Sequence, residues 1–248
     1  MRTLVVVPTY LEAENIEEYL RRLRAAAPDV DVLVVDDGSP DGTAELAERL
    51  GEELGSIEVL RRPGKSGLGV AYRAGFAIGL ERGYDVLIQM DADLSHAPEA
   101  VPELLAPLEA GADVVVGSRY VPGGSIPHWP WHRRALSRYG NLYASLLLRS
   151  GVVDATSGYR AYKADVLRRV DVAATRATGY GFQIEMAYRV VQAGGKIVEI
   201  PITFVDRVAG VSKMTLKVAS EELVLVTRWG VRDRIQDLRR RLRQRQRR

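Results

Sequence analysis

Apolar positions come in short runs separated by stretches of helical period. Leu4–Val7, Val32–Val35, Ile57–Leu60, Tyr84–Met90 and Val114–Val116 are rich in Val, Leu and Ile and have the length of buried strands. Between them, about Ala13–Ala26 places Ile16, Leu20 and Leu23 on one helical face. Further helices are predicted from Thr43 to near Leu54, over Ser66–Arg82 with glycine punctuation, and over Pro98–Leu108. Strand–helix alternation with nearly continuous apolar strands predicts a mostly parallel sheet covered on both faces. The second half is less regular. It reads as a Gly/Pro loop over Gly123–Trp131, a helix over Arg133–Leu148, a helix over Phe182–Val191 and a strand over Lys196–Ile200. An extended Ile202–Val205, an apolar helix over Leu216–Val226 and an Arg-rich end follow. No repeat or linker is visible, so one domain over 1–227 with a basic tail over 228–248 is the simplest organisation.

In such sheets ligands sit beyond the carboxyl ends of the strands. There the first, second, fourth and fifth strands release Thr9-Tyr10-Leu-Glu12, Asp36-Asp37, Asp91-Ala-Asp93 and Arg119. Asp91 and Asp93 lie where a buried strand meets a loop. Two carboxylates so placed suit a divalent cation, and the cation suits a diphosphate. A solvated Asp-x-Asp turn remains open for that motif alone, but the convergence of four polar strand ends is harder to assign to solvated loops.

Composition narrows the chemistry. The 248 residues contain no Cys, which excludes disulfides, a thiolate zinc site and a cysteine nucleophile and suits a reducing compartment. Met1–Val7 is too short for an export segment, and no run of about 18 apolar residues is present. The net charge of +3 is uneven. Ten Arg against Asp233 and Asp237 give 228–248 a net +8, leaving a body of 25 basic and 30 acidic residues, net −5. An acidic body argues against a nucleic-acid groove, so no nucleic-acid partner is expected. A basic tail on it suits tethering to an anionic membrane surface, with a solubilising tail as the alternative.

Five segments occur in order: Pro8-Thr-Tyr10, Val35-Asp-Asp-Gly-Ser-Pro-Asp-Gly-Thr43, Gly67-Leu-Gly, Gln89-Met-Asp-Ala-Asp-Leu-Ser-His96 and Gly117-Ser-Arg-Tyr-Val-Pro-Gly-Gly124. Together they resemble glycosyltransferase family 2, and within it the polyprenol-phosphate (dolichol-phosphate) mannose synthases, over roughly residues 3 to 230. The resemblance implies a GT-A nucleotide-diphosphosugar fold, α/β with a mostly parallel central sheet flanked by helices, here ending in an amphipathic, basic helix. It implies inverting transfer of mannose from GDP-mannose to a polyprenyl or dolichyl phosphate, with Mg²⁺ or Mn²⁺ as cofactor.

The family's nucleotide contacts fall on Pro8, Tyr10, Glu12, Val35 and Asp37. Tyr10 can lie against the base, Glu12 can accept from guanine N–H groups, and Asp37 can accept from ribose hydroxyls. Asp91 and Asp93 would bind the metal and the sugar-diphosphate end, with Ala92 close against the ligand. Ser95, where some relatives carry Gln, is the third metal candidate, its short hydroxyl reaching through a water. Leu11 stands where Asn is usual, which predicts a looser turn. Arg207 and Lys213 lie in a segment resembling the loop that closes over the donor diphosphate. Their charge would compensate the leaving group, and Gly210 would supply hinge freedom. Gln183 or Glu185 would hydrogen-bond mannose hydroxyls.

Arg119, Arg133 and Ser137 match the acceptor-phosphate positions, and an Arg fork suits phosphate geometry. Arg133 and Ser137 are four apart and share a helix face. The apolar surface of Leu136, Tyr139, Tyr143, Leu146 and Leu147 then faces a membrane or the acceptor, or is ordinary core; periodicity leaves these equal. A phosphate acceptor is already an anion at neutral pH and needs no general base, so none is expected among His96, His128 and His132. Peripheral association at the cytoplasmic face, with a separate integral membrane protein as a further partner, completes the expectation. UDP-glucose as donor, a hydroxyl acceptor, or a nucleotide-sugar sensor without turnover stand as alternatives.

Overall fold

A computed structural model of the chain describes residues 1–177, 179, 181–206, 223–235 and 239. Its first half follows the predicted alternation. The elements are β1 (Thr3–Thr9), α1 (Ile16–Ala26), β2 (Asp31–Asp36), α2 (Thr43–Leu54), β3 (Ile57–Arg61), α3 (Leu68–Glu81) and β4 (Val86–Gln89). After a 3₁₀ turn at Pro98–Ala100 come α4 (Val101–Glu109), β5 (Val114–Ser118), α5 (Trp131–Leu148), β6 (Arg160–Lys163), α6 (Ala164–Arg169), α7 (Gly181–Gln192) and β7 (Ile197–Pro201).

Seven strands form one sheet in the order β3-β2-β1-β4-β6-β5-β7. The pairs β1–β2, β2–β3, β1–β4 and β5–β7 are parallel, and β6 runs antiparallel to both β4 and β5. The chain builds outward from β1 to β3, then returns to place β4 on the other side of β1. The strand order therefore reverses between β1 and β4, and a crevice opens at their carboxyl ends.

Alternation explains why the strands read as unbroken apolar runs. Val5 and Val7 pack with Ile16, Leu20 and Leu23 of α1 on one face, while Leu4 and Val6 pack with Tyr72 and Phe76 of α3 on the other. The glycines of α3 are contact points. A Cβ on Gly75 would collide with Val6, and one on Gly79 with Leu87, so these positions let the helix lie close on the sheet. A third cluster joins Ala144 and Leu148 of α5, Ile184 and Tyr188 of α7, and Val226. Residues 223–235 are helical, and Trp229 stacks on Tyr188 at 5.7 Å. The boundary expected after residue 227 falls inside this helix.

β6 is not foreseen by hydrophobic pattern. Its four residues begin with Arg160 and end with Lys163, yet Arg160, Ala161 and Tyr162 are buried. The stretch 202–205, expected to be extended, contributes one bridge, Ser125 to Thr203.

The turn after β1 also departs from expectation. Leu11 has φ 59°, a left-handed conformation that disfavours a side chain branching beyond Cβ and suits Asn. The turn is nevertheless held. Its N–H groups at Leu11, Glu12 and Ala13 donate to Ser39 Oγ, Thr43 Oγ1 and Asp41 Oδ2, each at 3.1 Å. Because Leu11 is about half exposed, replacing it loses little burial. Leu11→Asn should stabilise the fold by about 1 kcal/mol and raise the melting temperature by roughly 2–4 °C, measured by calorimetry. An unchanged or lower value would show that the left-handed turn carries no strain.

Candidate active site at the carboxyl edge of the sheet

β4 ends at Gln89, and Asp91 and Asp93 follow in the crevice between β1 and β4. Asp91 accepts a hydrogen bond from the Tyr72 hydroxyl at 2.9 Å. Burial and the neighbouring Asp91 push the Tyr72 pKa well up, so it stays a donor. Asp93 is buried, and its Oδ1 accepts the Ser95 N–H at 3.1 Å. Leu94 between them has φ 59°, the second strained backbone position at this edge. Ala92 is buried in the core cluster on the α1 side.

Gly158 faces this carboxylate. A Cβ there would lie 3.3 Å from Asp91 Oδ2 and 3.7 Å from both Gln183 Nε2 and His96 Cε1. Three polar side chains thus converge on a cradle a methyl group would fill. Gln183 Oε1 and His96 Nδ1 are buried and have no hydrogen-bond partner among the described residues. Gln183, not Glu185, is therefore the polar group of α7 turned to this side. Glu185 accepts from the N–H groups of Arg176 and Ala177 and from Arg189 Nε, each at 2.9 Å.

On the nucleotide side, Lys65 Nζ lies 4.6 Å from the centre of the Tyr10 ring. Glu12 Oε2 accepts from Asn15 at 2.9 Å. Asp37 accepts from Arg62 Nη1 at 2.6 Å and from the Ser66 N–H at 3.2 Å. Its neighbour Asp36 is turned inward onto Thr9 and Ser39. Pro8 pairs with Val35 in register. The Val35 side chain packs in the core near Gly75, so a contact to nucleotide would come from its main chain.

Arg119 follows β5 and is buried. Its Nε and Nη2 donate to Asp154 at 2.7 and 2.6 Å, Nη2 also donates to Thr156 Oγ1 at 2.7 Å, and its own N–H reaches Asp154 at 2.9 Å. Asp154 was not foreseen, since an isolated Asp in a loop carries no sequence signal. Arg133 on α5 stacks over Trp129 at 3.9 Å and donates to Asp206 at 3.3 Å. Ser137 lies one turn on, facing the buried Tyr120 hydroxyl. Arg207 and Lys213 lie outside the described residues.

Residues 4–171 match Glycosyl transferase family 2. The chain belongs to that family. It is 52% identical over 242 residues to the undecaprenyl-phosphate mannosyltransferase of Micrococcus luteus, covering 98% of this chain and 99% of that one. It is 49% identical to the polyprenol monophosphomannose synthase of Mycolicibacterium smegmatis, over 94% of this chain and 89% of that one. The dolichol-phosphate mannosyltransferase of Pyrococcus furiosus is 36% identical over 90% of this chain and 62% of its own length. Among solved structures, mannosyl-3-phosphoglycerate synthase from Rubrobacter xylanophilus aligns with TM-score 0.65 at 20% identity, over all of this chain and 75% of that one. A mannosyltransferase from Pyrobaculum calidifontis in complex with GDP-mannose and Mn²⁺ aligns with TM-score 0.58 at 19% identity, over 93% and 64%. These two bear on the fold, which is GT-A-like.

Among its described residues this family 2 glycosyltransferase groups no three His, Asp or Glu that could hold a metal ion by themselves. Hard cations are also held by one or two carboxylates plus substrate phosphates, and Asp91 and Asp93 are the carboxylates that follow β4 at this edge. Ser95 contributes its N–H to Asp93 in this arrangement.

His96 stacks on Tyr159 at 5.1 Å, and burial lowers its pKa to about 4 against the opposing pull of Asp93. It is neutral at pH 7 and a weak base. The unfolded chain takes up its proton near pH 6.5 and the folded one only near 4. Stability from this residue is complete above pH 6.5 and is lost as pH falls toward 4, on the order of 3 kcal/mol in all. In ligand-free protein His96→Phe should therefore flatten the pH dependence of the melting temperature across that window. An identical slope in both proteins would remove His96 as its cause.

Proposed function

We infer that the enzyme is a polyprenol monophosphomannose synthase, moving mannose from GDP-mannose to a polyprenyl phosphate with inversion at the anomeric carbon. The observation that carries this reading is one short segment touching both half-sites. Gly158 lies against the donor carboxylate Asp91, and Asp154 holds Arg119, an acceptor-type cation. The mannosyltransferase relatives support the choice of sugar and acceptor.

In this reading Tyr10 and Glu12 hold the base, Asp37 accepts from the ribose, and Pro8 and Val35 line the nucleotide with main chain. Asp91 and Asp93, with Ser95 behind them, would hold a divalent cation, Mg²⁺ or Mn²⁺, whose charge offsets that of the leaving diphosphate. Ala92 sits close beneath the ligand, and Gln183 offers its unpartnered Oε1 to a sugar hydroxyl. Arg207 and Lys213 add positive charge at the diphosphate. Arg119, through its remaining Nη1, with Arg133 and Ser137, receives the acceptor phosphate. A phosphate oxygen is already an anion, so catalysis reduces to aligning it behind the anomeric carbon and stabilising the departing GDP.

Radiolabel should pass from GDP-mannose to an organic-extractable polyprenyl phosphate, and chelation should stop it. Asp93→Ala should reduce the rate by roughly a thousandfold with an unchanged melting curve. Transfer from UDP-glucose but not GDP-mannose would replace the assigned donor, and a fully active Asp93→Ala enzyme would end the metal assignment.

We also infer peripheral association with an anionic membrane surface at the cytoplasmic face. Among the described residues no helix is long and apolar enough to cross a membrane. On α5, Trp131, Leu136, Tyr139 and Leu146 are 80%, 64%, 70% and 67% exposed, which favours an outward-facing stripe over the core alternative. Arg134 and Arg138 on this helix, Arg149 just after it, and Arg228, Arg232 and Arg234 on the 223–235 helix are exposed as well. Aliphatic and aromatic residues bordered by Arg suit an interface rich in anionic headgroups. The wild-type protein should float with phosphatidylglycerol vesicles. Leu136→Glu/Leu146→Glu should abolish flotation without lowering the melting temperature. Retained flotation would shift the role to the basic tail, and no flotation of the wild type would favour a separate integral membrane protein as the occupant of this face.

A further inference from the structure

Arg119 is a long side chain whose usefulness to a phosphate depends on which edge of its guanidinium is presented. Two of its three nitrogens and its backbone N–H are committed to one carboxylate. That carboxylate, Asp154, has no exposed surface and cannot itself touch a ligand. It is in turn anchored. The N–H groups of Val153 and Asp154 donate to the two carboxylate oxygens of Glu199 at 2.7 and 2.8 Å, and Glu199 lies on β7 in register with Val116 of β5. Thr156 takes the second hydrogen bond of Nη2 and accepts from Asn141 of α5 at 3.0 Å, the helix that also carries Arg133 and Ser137. The rings of Tyr120, Phe204 and Trp129 lie 5.4, 5.4 and 5.7 Å from Arg119 Cζ, leaving the guanidinium little room to turn.

We propose that Asp154 is a positioning residue for the acceptor: it fixes Arg119 so that the Nη1 edge is the one presented to the acceptor phosphate, and Thr156 ties that arginine to the Arg133–Ser137 helix. Burial pushes the Asp154 carboxyl up, but the Arg119 guanidinium more than offsets this, so it remains ionised. The inference rests on the acceptor reading given above.

Asp154→Asn keeps shape and removes charge. It should raise the KM for polyprenyl phosphate and the dissociation constant for a short-chain polyprenyl phosphate by about ten- to a hundredfold, while GDP-mannose affinity stays within about twofold. In an Arg119→Lys background the same change should add little further loss, since there is no fork left to orient. A merely structural role would weaken both substrates together. If Asp154→Asn does not reach the wild-type melting temperature, Thr156→Val carries the test, with a smaller loss on the acceptor side alone. Wild-type acceptor affinity in either folded variant, or equal losses for donor and acceptor, overturns the proposal. If the wild type binds the short-chain phosphate but transfers no mannose, the assigned reaction fails while the titration still decides the role of Asp154. If it does not bind that probe, both fail.

Discussion

A guanidinium with no exposed surface ties the loop before β6 to the start of α7. Arg160, at the start of β6, donates to the carbonyls of Ala155, Ser157 and Gln183 at 2.6, 2.8 and 2.7 Å. Removing such a charge from water costs several kcal/mol, and three charge-assisted hydrogen bonds of about 1.5–3 kcal/mol each offset it. The consequence is positional. The loop before β6 and the first turn of α7 cannot shift independently, and the loop carries Asp154, Thr156 and Gly158 while the turn carries Gln183. Hydrogen bonds from Ser157 Oγ to the Gly117 carbonyl and from Tyr159 N–H to Ser157 Oγ continue the same tie to β5. The Gly158 cradle and Arg119 are therefore held in one hydrogen-bonded frame with the sheet.

This explains which parts of the structure could be read from sequence. β1 to β4 obey local rules. β1, β2 and β4 bury both faces, each helix has one apolar stripe, and the chain returns to neighbouring positions, so pattern and topology agree. The carboxylates Asp91 and Asp93 were legible for the same reason, being polar residues at the mouth of an apolar run. The second half is ordered by polar contacts between residues distant in sequence, which leave no periodic trace. β6 begins with Arg160 and was invisible as a strand because one of its fully buried side chains is a cation. Asp154 gave no signal because its partner, Arg119, is 35 positions away. Glu185 and Gln183 looked alike on the helix, and the hydrogen bonds from Arg176 and Ala177 separate them.

The helix α5 shows the same effect within one element. Its inward row is Arg133, Ser137, Asn141, Ala144 and Leu148, and its outward row includes Leu136, Tyr139 and Leu146. The polar residues of the first turns thus face the body, and the large apolar ones face out, the reverse of an ordinary surface helix. Periodicity reports that two faces differ but not which one is inside, so the core and outward-facing alternatives stood equal until exposure was known.

That reversal ties chemistry to location. Arg133 sits in the first turn of α5, where unpaired N–H groups and the helix dipole favour an anion. At 1.5 Å per residue, Leu146 lies roughly 20 Å along the axis from it. A lipid phosphate received at the first turn would have its chain running out beside the apolar row of the same helix. The opposite row is fixed to the acceptor arginine through Asn141 and Thr156. One rigid element then sets the height of the phosphate site above whatever surface the apolar row contacts. On the proposed acceptor reading, the alignment of nucleophile and anomeric carbon would then be a property of the fold, with no need for the acceptor chain itself to be ordered.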